Sequence, residues 1–326
     1  MPDILFIKTS SLGDVIHHMP ALTEARRNNP QARFSWVVEE AFAPLVRLHP
    51  AVGEVIPVTA RRWRGAAFAP ATWREAAGFV RALRKREYDA VIDTQGLVKS
   101  ALIARVARGR RHGYDRDSIR EPLAARFYDA RHGVARNLHA IARNRMLTAR
   151  ALGYWPGTEI DFGLSSPTLP SPAGGGGMGG GAPAAGGYGI LLHGTARAEK
   201  QWPETSWIAL GRELEARGAS LVVPWGTEAE RMRSARIAAA LARTRVAERQ
   251  PLDGIAGLIA GAAFVVGVDT GLLHLAAALR VPLVGVFVGS EPGLTGPMGQ
   301  GPIAIVGGKN EVPSVSDVTG ALAHIL

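Results

Sequence analysis

The sequence predicts an α/β protein with two doubly wound parallel sheets, and three observations lead to this prediction. The 326 residues are 47% hydrophobic and 20% charged, an ordinary globular balance whose length fits roughly two domains. Short apolar segments alternate with helical stretches in both halves of the chain. A low-complexity segment with ten glycines, from Pro172 to Gly189, separates those halves.

The strand candidates are continuous apolar runs rather than alternating ones. Such runs are typical of parallel strands that are covered by helices on both faces. In the first half the strands are predicted at Ile4–Ile7, Phe34–Val38, Val55–Val58 and Ala90–Ile92, with helices at about 14–28, 72–87 and 98–108. In the second half the strands are predicted at Gly189–Leu192, Ser220–Val223, Phe264–Val268 and Leu283–Val288, with helices at about 204–217, 228–242, 253–261 and 271–279.

These elements group into two domains, 1–165 and 188–326. The glycine-rich segment 166–187 cannot bury enough side chain to offset its ordering entropy, so it is predicted to be a linker or surface loop. A last helix, at about 315–326, could return to the first domain. We expect the two Rossmann-like domains to face each other across a cleft, with ligands at the carboxyl ends of the strands.

Composition and charge exclude several classes of protein. Cysteine is absent, which excludes disulfides and thiolate chemistry. The sequence has no apolar run long enough to span a bilayer, and its first ten residues predict a strand rather than a signal peptide. Residues 1–165 hold 26 Lys and Arg against 16 Asp and Glu, whereas residues 166–326 hold 12 of each. The first half is therefore expected to face a polyanion, which could be a nucleic acid, an anionic membrane or a phosphorylated substrate.

The loop after the first strand, Lys8 to Asp14, combines small hydroxyl residues with a glycine and a carboxylate. One interpretation is that Asp14 is a general base at the floor of the cleft. The alternative is that Asp14 or Ser11 only caps the following helix, since acids and hydroxyls are favoured at that position.

Two loops of the second half have the composition of a diphosphate site. Thr195 and Lys200 follow one strand, and Asp269-Thr270-Gly271 opens a helix after another, with His274 one turn further on. A helix N-terminus with a small residue suits a diphosphate. Simple capping and a solvated surface lysine are the alternatives. Acids such as Glu230, after a third strand, could accept bonds from ribose hydroxyls or only favour a helix start.

Basic clusters occur on predicted loops of the first half. The segment Arg61–Arg64 and the later Arg120 are candidates for phosphate contacts, because arginine pairs bidentately with phosphate. Asp115-Arg116-Asp117 matches a D-x-D metal signature, but no apolar strand precedes it, so we expect no metal there. The sequence has no P-loop, which excludes a P-loop NTPase.

Several longer segments resemble one family over nearly the whole chain. They are KTSSLGDVIHHMPAL, WVVEEAF, RRWR, YDAVIDTQGLVKSAL, REPLA, EKQWP, LVVPWG and VDTGLLHL. The sequence resembles the lipopolysaccharide heptosyltransferases of glycosyltransferase family 9, and among them those that add the first heptose. This resemblance implies the two-domain GT-B fold and an inverting transfer of L-glycero-D-manno-heptose from ADP-heptose to the first Kdo of Kdo2-lipid A.

The resemblance also implies roles for individual residues. Asp14 would be the general base, with Ser10 near the donor sugar. Donor binding would fall to Thr195, Lys200, Glu230, Asp269, Thr270, Gly271 and His274, and acceptor binding to Arg61, Arg62, Arg64 and Arg120. Ala196 departs from the family pattern, where a second threonine is expected. Neither a metal nor another cofactor is implied, and the enzyme would act at the cytoplasmic face of the inner membrane, on its anionic surface.

Three other functions remain as alternatives. A related GT-B enzyme would add a later core heptose or another sugar by the same chemistry. A nucleic-acid-binding protein would account for the pI of 10.6, but the basic excess ends at mid-chain. A non-catalytic membrane scaffold would release no ADP.

Overall fold

The computed structural model describes residues 1–65, 69–164, 187–195 and 197–326. The chain divides into two compact units, Met1–Gly163 (unit 1) and Leu164–Leu326 (unit 2). The predicted linker 166–187 lies outside the described residues except for Gly187, and Ala196 lies outside them as well.

Unit 1 contains a six-stranded parallel sheet in the order β3-β2-β1-β4-β5-β6. Its strands are β1 (Asp3–Ile7), β2 (Arg33–Glu39), β3 (Val52–Val58), β4 (Glu87–Asp93), β5 (Arg108–Tyr114) and β6 (Ala130–His132). Its helices are α1 (Leu12–Ile16), α2 (Met19–Asn28), α3 (Ala43–Arg47), α4 (Ala60–Gly65), α5 (Pro70–Leu83), α6 (Val98–Val106) and α7 (Ala140–Leu152). The core includes the fully buried side chains of Phe6, Trp36 and Met19.

Unit 2 has a second six-stranded parallel sheet, in the order β12-β11-β10-β7-β8-β9. Its strands are β7 (Tyr188–Leu192), β8 (Ser220–Val223), β9 (Thr244–Val246), β10 (Phe264–Val268), β11 (Leu283–Val288) and β12 (Ile303–Gly308). Its helices are α8 (Glu204–Ala216), α9 (Glu228–Ala239), α10 (Leu252–Ala260), α11 (Gly271–Ala278) and α12 (Val315–Ile325). Helix α12 packs within this unit, where Val318 and Leu322 join the core.

Both sheets wind in the same way and so confirm the predicted fold class. In each unit the first three strands extend the sheet in one direction and the last three extend it in the other. The direction of winding reverses between β1 and β4 in unit 1 and between β7 and β10 in unit 2. Ligands of doubly wound sheets bind at the carboxyl ends of the strands at this switch point.

Some element boundaries differ from those predicted. The single helix predicted over 14–28 is two helices, because α2 begins with Pro20 in its first turn and proline cannot continue a preceding helix. Strand β5 was not predicted, since Arg108, Arg110 and Arg111 hide its strand character. One of its two glycines, Gly113, is required by packing, because a Cβ there would lie 2.2 Å from the ring of Tyr128.

Candidate active site

In unit 1, the loops that follow β1 and β4 are bonded to each other at the switch point. The side-chain oxygen of Gln95 accepts hydrogen bonds from the backbone N–H groups of Thr9 (3.0 Å) and Ser10 (3.2 Å). Lys99 Nζ donates to Ser10 Oγ at 3.3 Å. The predicted site residue Ser10 is therefore held through both its backbone and its side chain.

Asp14 lies in the first turn of α1 and forms a capping box with Ser11. Its Oδ2 accepts bonds from the backbone N–H of Ser11 (2.9 Å) and from Ser11 Oγ (3.0 Å). The capping role that the sequence allows is thus present in the structure. Both bonds go to Oδ2, and Oδ1 accepts none from the described residues, so capping leaves one carboxylate oxygen for a proton.

Two buried ionisable groups, Lys8 and Asp93, accompany this loop and were not among the predicted site residues. Lys8 Nζ donates to the Thr94 carbonyl at 3.0 Å. Burial lowers the pKa of Lys8, while the charges of Asp14 and Asp93 act in the opposite direction. Burial raises the pKa of Asp93, although its carboxylate accepts a bond of 2.7 Å from the Tyr128 hydroxyl. Lys8 directly follows β1 and Asp93 ends β4, and these positions at the carboxyl ends of strands could have identified them as site candidates in the sequence.

In unit 2, the predicted residues Thr195, Lys200, Asp269 and His274 come together at the switch point. Lys200 forms an ion pair with Asp269 Oδ2, and Thr195 Oγ1 donates to the Asp269 carbonyl at 3.1 Å. His274 Nε2 lies 3.8 Å from Asp269 Oδ1. Burial alone would raise the pKa of Asp269, but His274 and Lys200 outweigh burial and hold this pKa well below its usual range. Asp269 is therefore ionised, and its charge orients Lys200.

Helix α11 begins at Gly271 beside this group. Thr270 is the N-cap residue, and its side chain makes no capping hydrogen bond. The first N–H groups of the helix are therefore not satisfied by the cap, which suits an anion with several oxygens. The ammonium of Lys200 keeps donors beyond the one used by Asp269, since a lysine carries three.

Glu230 lies at the start of α9, next to the end of β7. Its Oε2 accepts bonds from the N–H groups of Gly226 (2.8 Å) and Thr227 (2.9 Å). A Cβ on Gly194 would lie 2.6 Å from Glu230 Oε1. The absence of a side chain at Gly194 thus lets this carboxylate lie against the loop that carries Thr195, and Gly194 is a site residue that sequence reasoning missed.

The predicted acceptor-binding arginines lie on two segments of unit 1. Helix α4 carries Arg61, Arg62 and Arg64, and only the side chain of Arg62 is among those described. Arg62 bonds to Glu40 (3.2 Å) and Glu75 (2.9 Å), so an acceptor phosphate would compete with these acids.

Arg120, the fourth predicted arginine, is exposed and lies close to the β4 loop. The N–H of the following residue, Glu121, donates to the Gly96 carbonyl at 3.2 Å. The charge of Arg120 contributes to the lowered pKa of Lys8. Arg120 therefore lies near Lys8 and the β4 loop, and its acceptor role stays a prediction.

The D-x-D sequence has a structural role at its first aspartate. Asp115 Oδ1 accepts a bond of 2.9 Å from the backbone N–H of Ser118 and a second from its hydroxyl. Within the part of the chain that is described, no three His, Asp or Glu side chains cluster as metal ligands. No described helix is both long and apolar enough to cross a membrane.

Two consecutive doubly wound units of this kind form the GT-B architecture. Comparisons with known proteins place the chain more closely. Residues 77–321 match glycosyltransferase family 9 (heptosyltransferase). Lipopolysaccharide heptosyltransferase 1 of Escherichia coli is 44% identical over 302 residues, which are 91% of each chain. Lipopolysaccharide heptosyltransferase 1 of Pseudomonas aeruginosa is 46% identical over 299 residues, which cover 91% of this chain and 81% of that one.

The solved structures agree with these sequence relatives. The E. coli heptosyltransferase WaaC with ADP superposes with a TM-score of 0.90 at 41% identity, covering 99% of this chain and 100% of that one. E. coli ADP-heptose lps heptosyltransferase II, at 21% identity and a TM-score of 0.73 over 99% of each chain, shares the fold. The chain belongs to glycosyltransferase family 9, the heptosyltransferase family.

Proposed function

We propose that the protein transfers L-glycero-D-manno-heptose from ADP-heptose to the first Kdo of Kdo2-lipid A, inverting the anomeric carbon. The observation that carries this proposal is the group of Thr195, Lys200 and Asp269 beside the open N-terminus of α11. Its chemistry suits a diphosphate. The names of relatives 42–46% identical support the heptose donor and the lipopolysaccharide product.

In this proposal unit 2 holds the leaving group. The bond between the sugar C1 and the diphosphate oxygen breaks, and ADP leaves with the electron pair. Lys200 and the N–H groups at Thr270 and Gly271 stabilise the negative charge that grows on the diphosphate. Such electrostatic stabilisation by prearranged donors is usually the largest single contribution to lowering the barrier. Glu230 accepts bonds from the ribose hydroxyls, and His274 keeps Asp269 in place.

Unit 1 supplies the base and binds the acceptor. Asp14 takes the proton from the Kdo hydroxyl while the oxygen of that hydroxyl forms the new bond to C1. Gln95 and Lys99 fix the loop that carries Ser10 and Asp14.

The acceptor explains the uneven charge of the chain. Lipid A and Kdo carry phosphates and carboxylates, and the surplus of basic residues falls within residues 1–165. Arg61, Arg62, Arg64 and Arg120 would bind these anions bidentately. We infer that the protein acts as a peripheral enzyme on the cytoplasmic face of the inner membrane.

An ADP-release assay tests this function directly. Purified protein is incubated with ADP-heptose and either Kdo2-lipid A or a core that already carries heptose, each with and without EDTA. We expect ADP release only with Kdo2-lipid A, at a rate that EDTA does not change. Absence of release, or a preference for the heptosylated core, would overturn the proposed substrate pair, and loss of activity in EDTA would overturn the metal-free mechanism.

A further inference from the structure

Helix α5 exposes an apolar stripe that the core of unit 1 does not use. Trp73 is 69% exposed and Val80 is 36% exposed. Together with the exposed Ala77 they follow the i, i+4, i+7 spacing that places side chains on one face of a helix. Leu83 is the one buried residue of this helix, all of which is described. The stripe is therefore available to an external partner.

Unpaired cations border this stripe. Arg74 and Arg81 lie on the adjoining exposed face of α5, and Arg84 and Lys85 follow at its end. None of the four forms an ion pair with a described residue. The single acid of α5, Glu75, is bonded to Arg62 and to Trp63 instead (2.9 and 3.1 Å). The exposed face of α5 thus combines an aromatic anchor with a net positive charge.

Helix α4 packs against the side of α5 that carries Glu75 and Phe79, which is opposite the apolar stripe. The rings of Trp63 and Phe79 meet edge to face, with centroids 5.7 Å apart, and Glu75 bonds both Arg62 and Trp63. Helix α4 carries three of the four arginines proposed to bind the acceptor. A lipid-anchored acceptor that is bound by these arginines would therefore lie next to α5.

We propose that α5 docks the protein on an anionic lipid bilayer. Trp73 and Val80 enter the interfacial region, and Arg74, Arg81 and Arg84 lie against the anionic head groups. Tryptophan is enriched at this depth of a membrane, and each basic residue near an anionic surface adds to binding. The inference deepens the proposed function and rests on it, since the acceptor is a membrane lipid.

A second exposed tryptophan of unit 1 provides a matched comparison. Trp155 is 89% exposed, yet it borders a cavity with the acids Glu159 and Asp161 rather than with free cations. These acids bond to Arg27. Trp155 has the same apolar ring without the positive surroundings, so it should not bind an anionic membrane.

The test is co-sedimentation of the full chain with two kinds of vesicle. One contains phosphatidylethanolamine and phosphatidylglycerol, and the other contains phosphatidylcholine only. We expect the wild-type protein to bind the anionic vesicles preferentially. Trp73→Ala should weaken this binding about tenfold, in line with the loss of one large buried apolar group. The double variant Arg81→Glu, Arg84→Glu should weaken it at least roughly twentyfold, and Trp155→Ala should leave it unchanged.

Three results would contradict the proposal that α5 docks on the bilayer. Equal binding of Trp73→Ala and wild-type protein, or equal binding to both vesicles, would overturn it. So would a wild-type dimer in analytical ultracentrifugation that Trp73→Ala dissociates, because a second copy would then cover α5. ADP release with detergent-dispersed Kdo2-lipid A separates the two proposals. The variants should keep this activity, whereas wild-type protein that binds vesicles but releases no ADP would overturn the proposed function alone.

Discussion

The two switch points have the same strand order but differ in how their charged side chains are bonded. In unit 1, Lys8 bonds to a backbone carbonyl and Asp93 bonds to a tyrosine hydroxyl, and burial shifts both pKa values toward the neutral forms. In unit 2, Lys200 and Asp269 pair directly, and the pKa of Asp269 is lowered. In unit 1 burial therefore acts against the charge of both groups, whereas in unit 2 a direct ion pair keeps charge at the group proposed to hold an anion.

This difference shows how one winding can serve two substrates. The strands place polar loops at the same edge in both units, and the residues in those loops decide the chemistry. The comparison leads to predictions in which a change in one unit affects one step and leaves the other step intact.

The largest effect is expected for Asp14→Asn. General base catalysis contributes about 10² to 10⁴ in rate, so kcat should fall by about two to four orders of magnitude while the donor KM changes little. Asp14 is the N3 residue of the capping box, and the side-chain oxygen of asparagine can still accept the bonds from Ser11, so stability should be kept. Steady-state kinetics by ADP release measures this change.

The control for Asp14 is Ser11→Ala, which removes the capping partner but not the carboxylate. It should cost about 1 kcal/mol in the free energy of unfolding and leave kcat within a fewfold of wild type. An Asp14→Asn enzyme with a third of normal turnover, or a Ser11→Ala enzyme as slow as Asp14→Asn, would remove Asp14 from catalysis.

A smaller effect is expected for Lys200→Met. A hydrogen bond from a charged group contributes about 1.5–3 kcal/mol, so kcat/KM for ADP-heptose should fall roughly 10- to 100-fold. The loss should appear in kcat as well as in KM, because Lys200 both binds the diphosphate and stabilises the charge that grows as it leaves. Arg197→Met is the matched control, because Arg197 is an exposed cation on the same loop, paired with Glu199 at 3.6 Å. Unchanged donor kinetics in Lys200→Met, or equal losses in both variants, would contradict the diphosphate role.

Gln95→Leu tests whether the β4 loop positions the base. The substitution leaves the buried N–H groups of Thr9 and Ser10 without an acceptor, which should cost about 2 kcal/mol of stability and lower kcat by about tenfold. The donor KM should stay the same. Gln95→Glu keeps an acceptor oxygen and should restore most of the turnover. A loss of stability with normal kcat in Gln95→Leu would make Gln95 structural only.

The units should also respond differently to acid. Burial lowers the pKa of His49 and His112 in unit 1 to about 4, and lowers that of His18 well below its usual value. In unit 2, burial lowers the pKa of His193 to about 4. Below about pH 6.5 the unfolded chain binds protons that the folded chain does not, so stability falls as pH drops from about 6.5 to 4.

The expected size of this acid effect is about 1.4 kcal/mol per pH unit for each such histidine. Unit 1 should therefore lose more stability than unit 2. Hydrogen exchange of the backbone amides of β1 and β7 measures the stability of unit 1 and of unit 2, respectively, once the exchange rates are corrected for their intrinsic pH dependence. Greater loss in unit 2 would contradict the difference in histidine burial.

The sequence could predict the central strands and the residues that come together at the switch point of unit 2, because β1, β4, β7 and β10 are apolar runs followed directly by polar loops. The roles of these residues stay predictions. It did not predict β5, because three of the first four residues of this strand are arginines. The split between α1 and α2 was missed although Pro20 signals it. Lys8, Asp93 and Gln95 were missed for another reason. The contacts of Lys8 and Gln95 join loops more than 80 residues apart in the chain, and Asp93 bonds to Tyr128, 35 residues further on. Periodicity reports nothing about such contacts.

Calorimetric titration of the full chain with ADP tests most directly the claim that unit 2 binds the nucleotide and unit 1 carries the base. If unit 2 holds the nucleotide and unit 1 the base, Lys200→Met should raise the Kd for ADP about tenfold or more, while Asp14→Asn should keep it within about twofold of wild type. Weak ADP binding in Asp14→Asn together with normal binding in Lys200→Met would contradict the account.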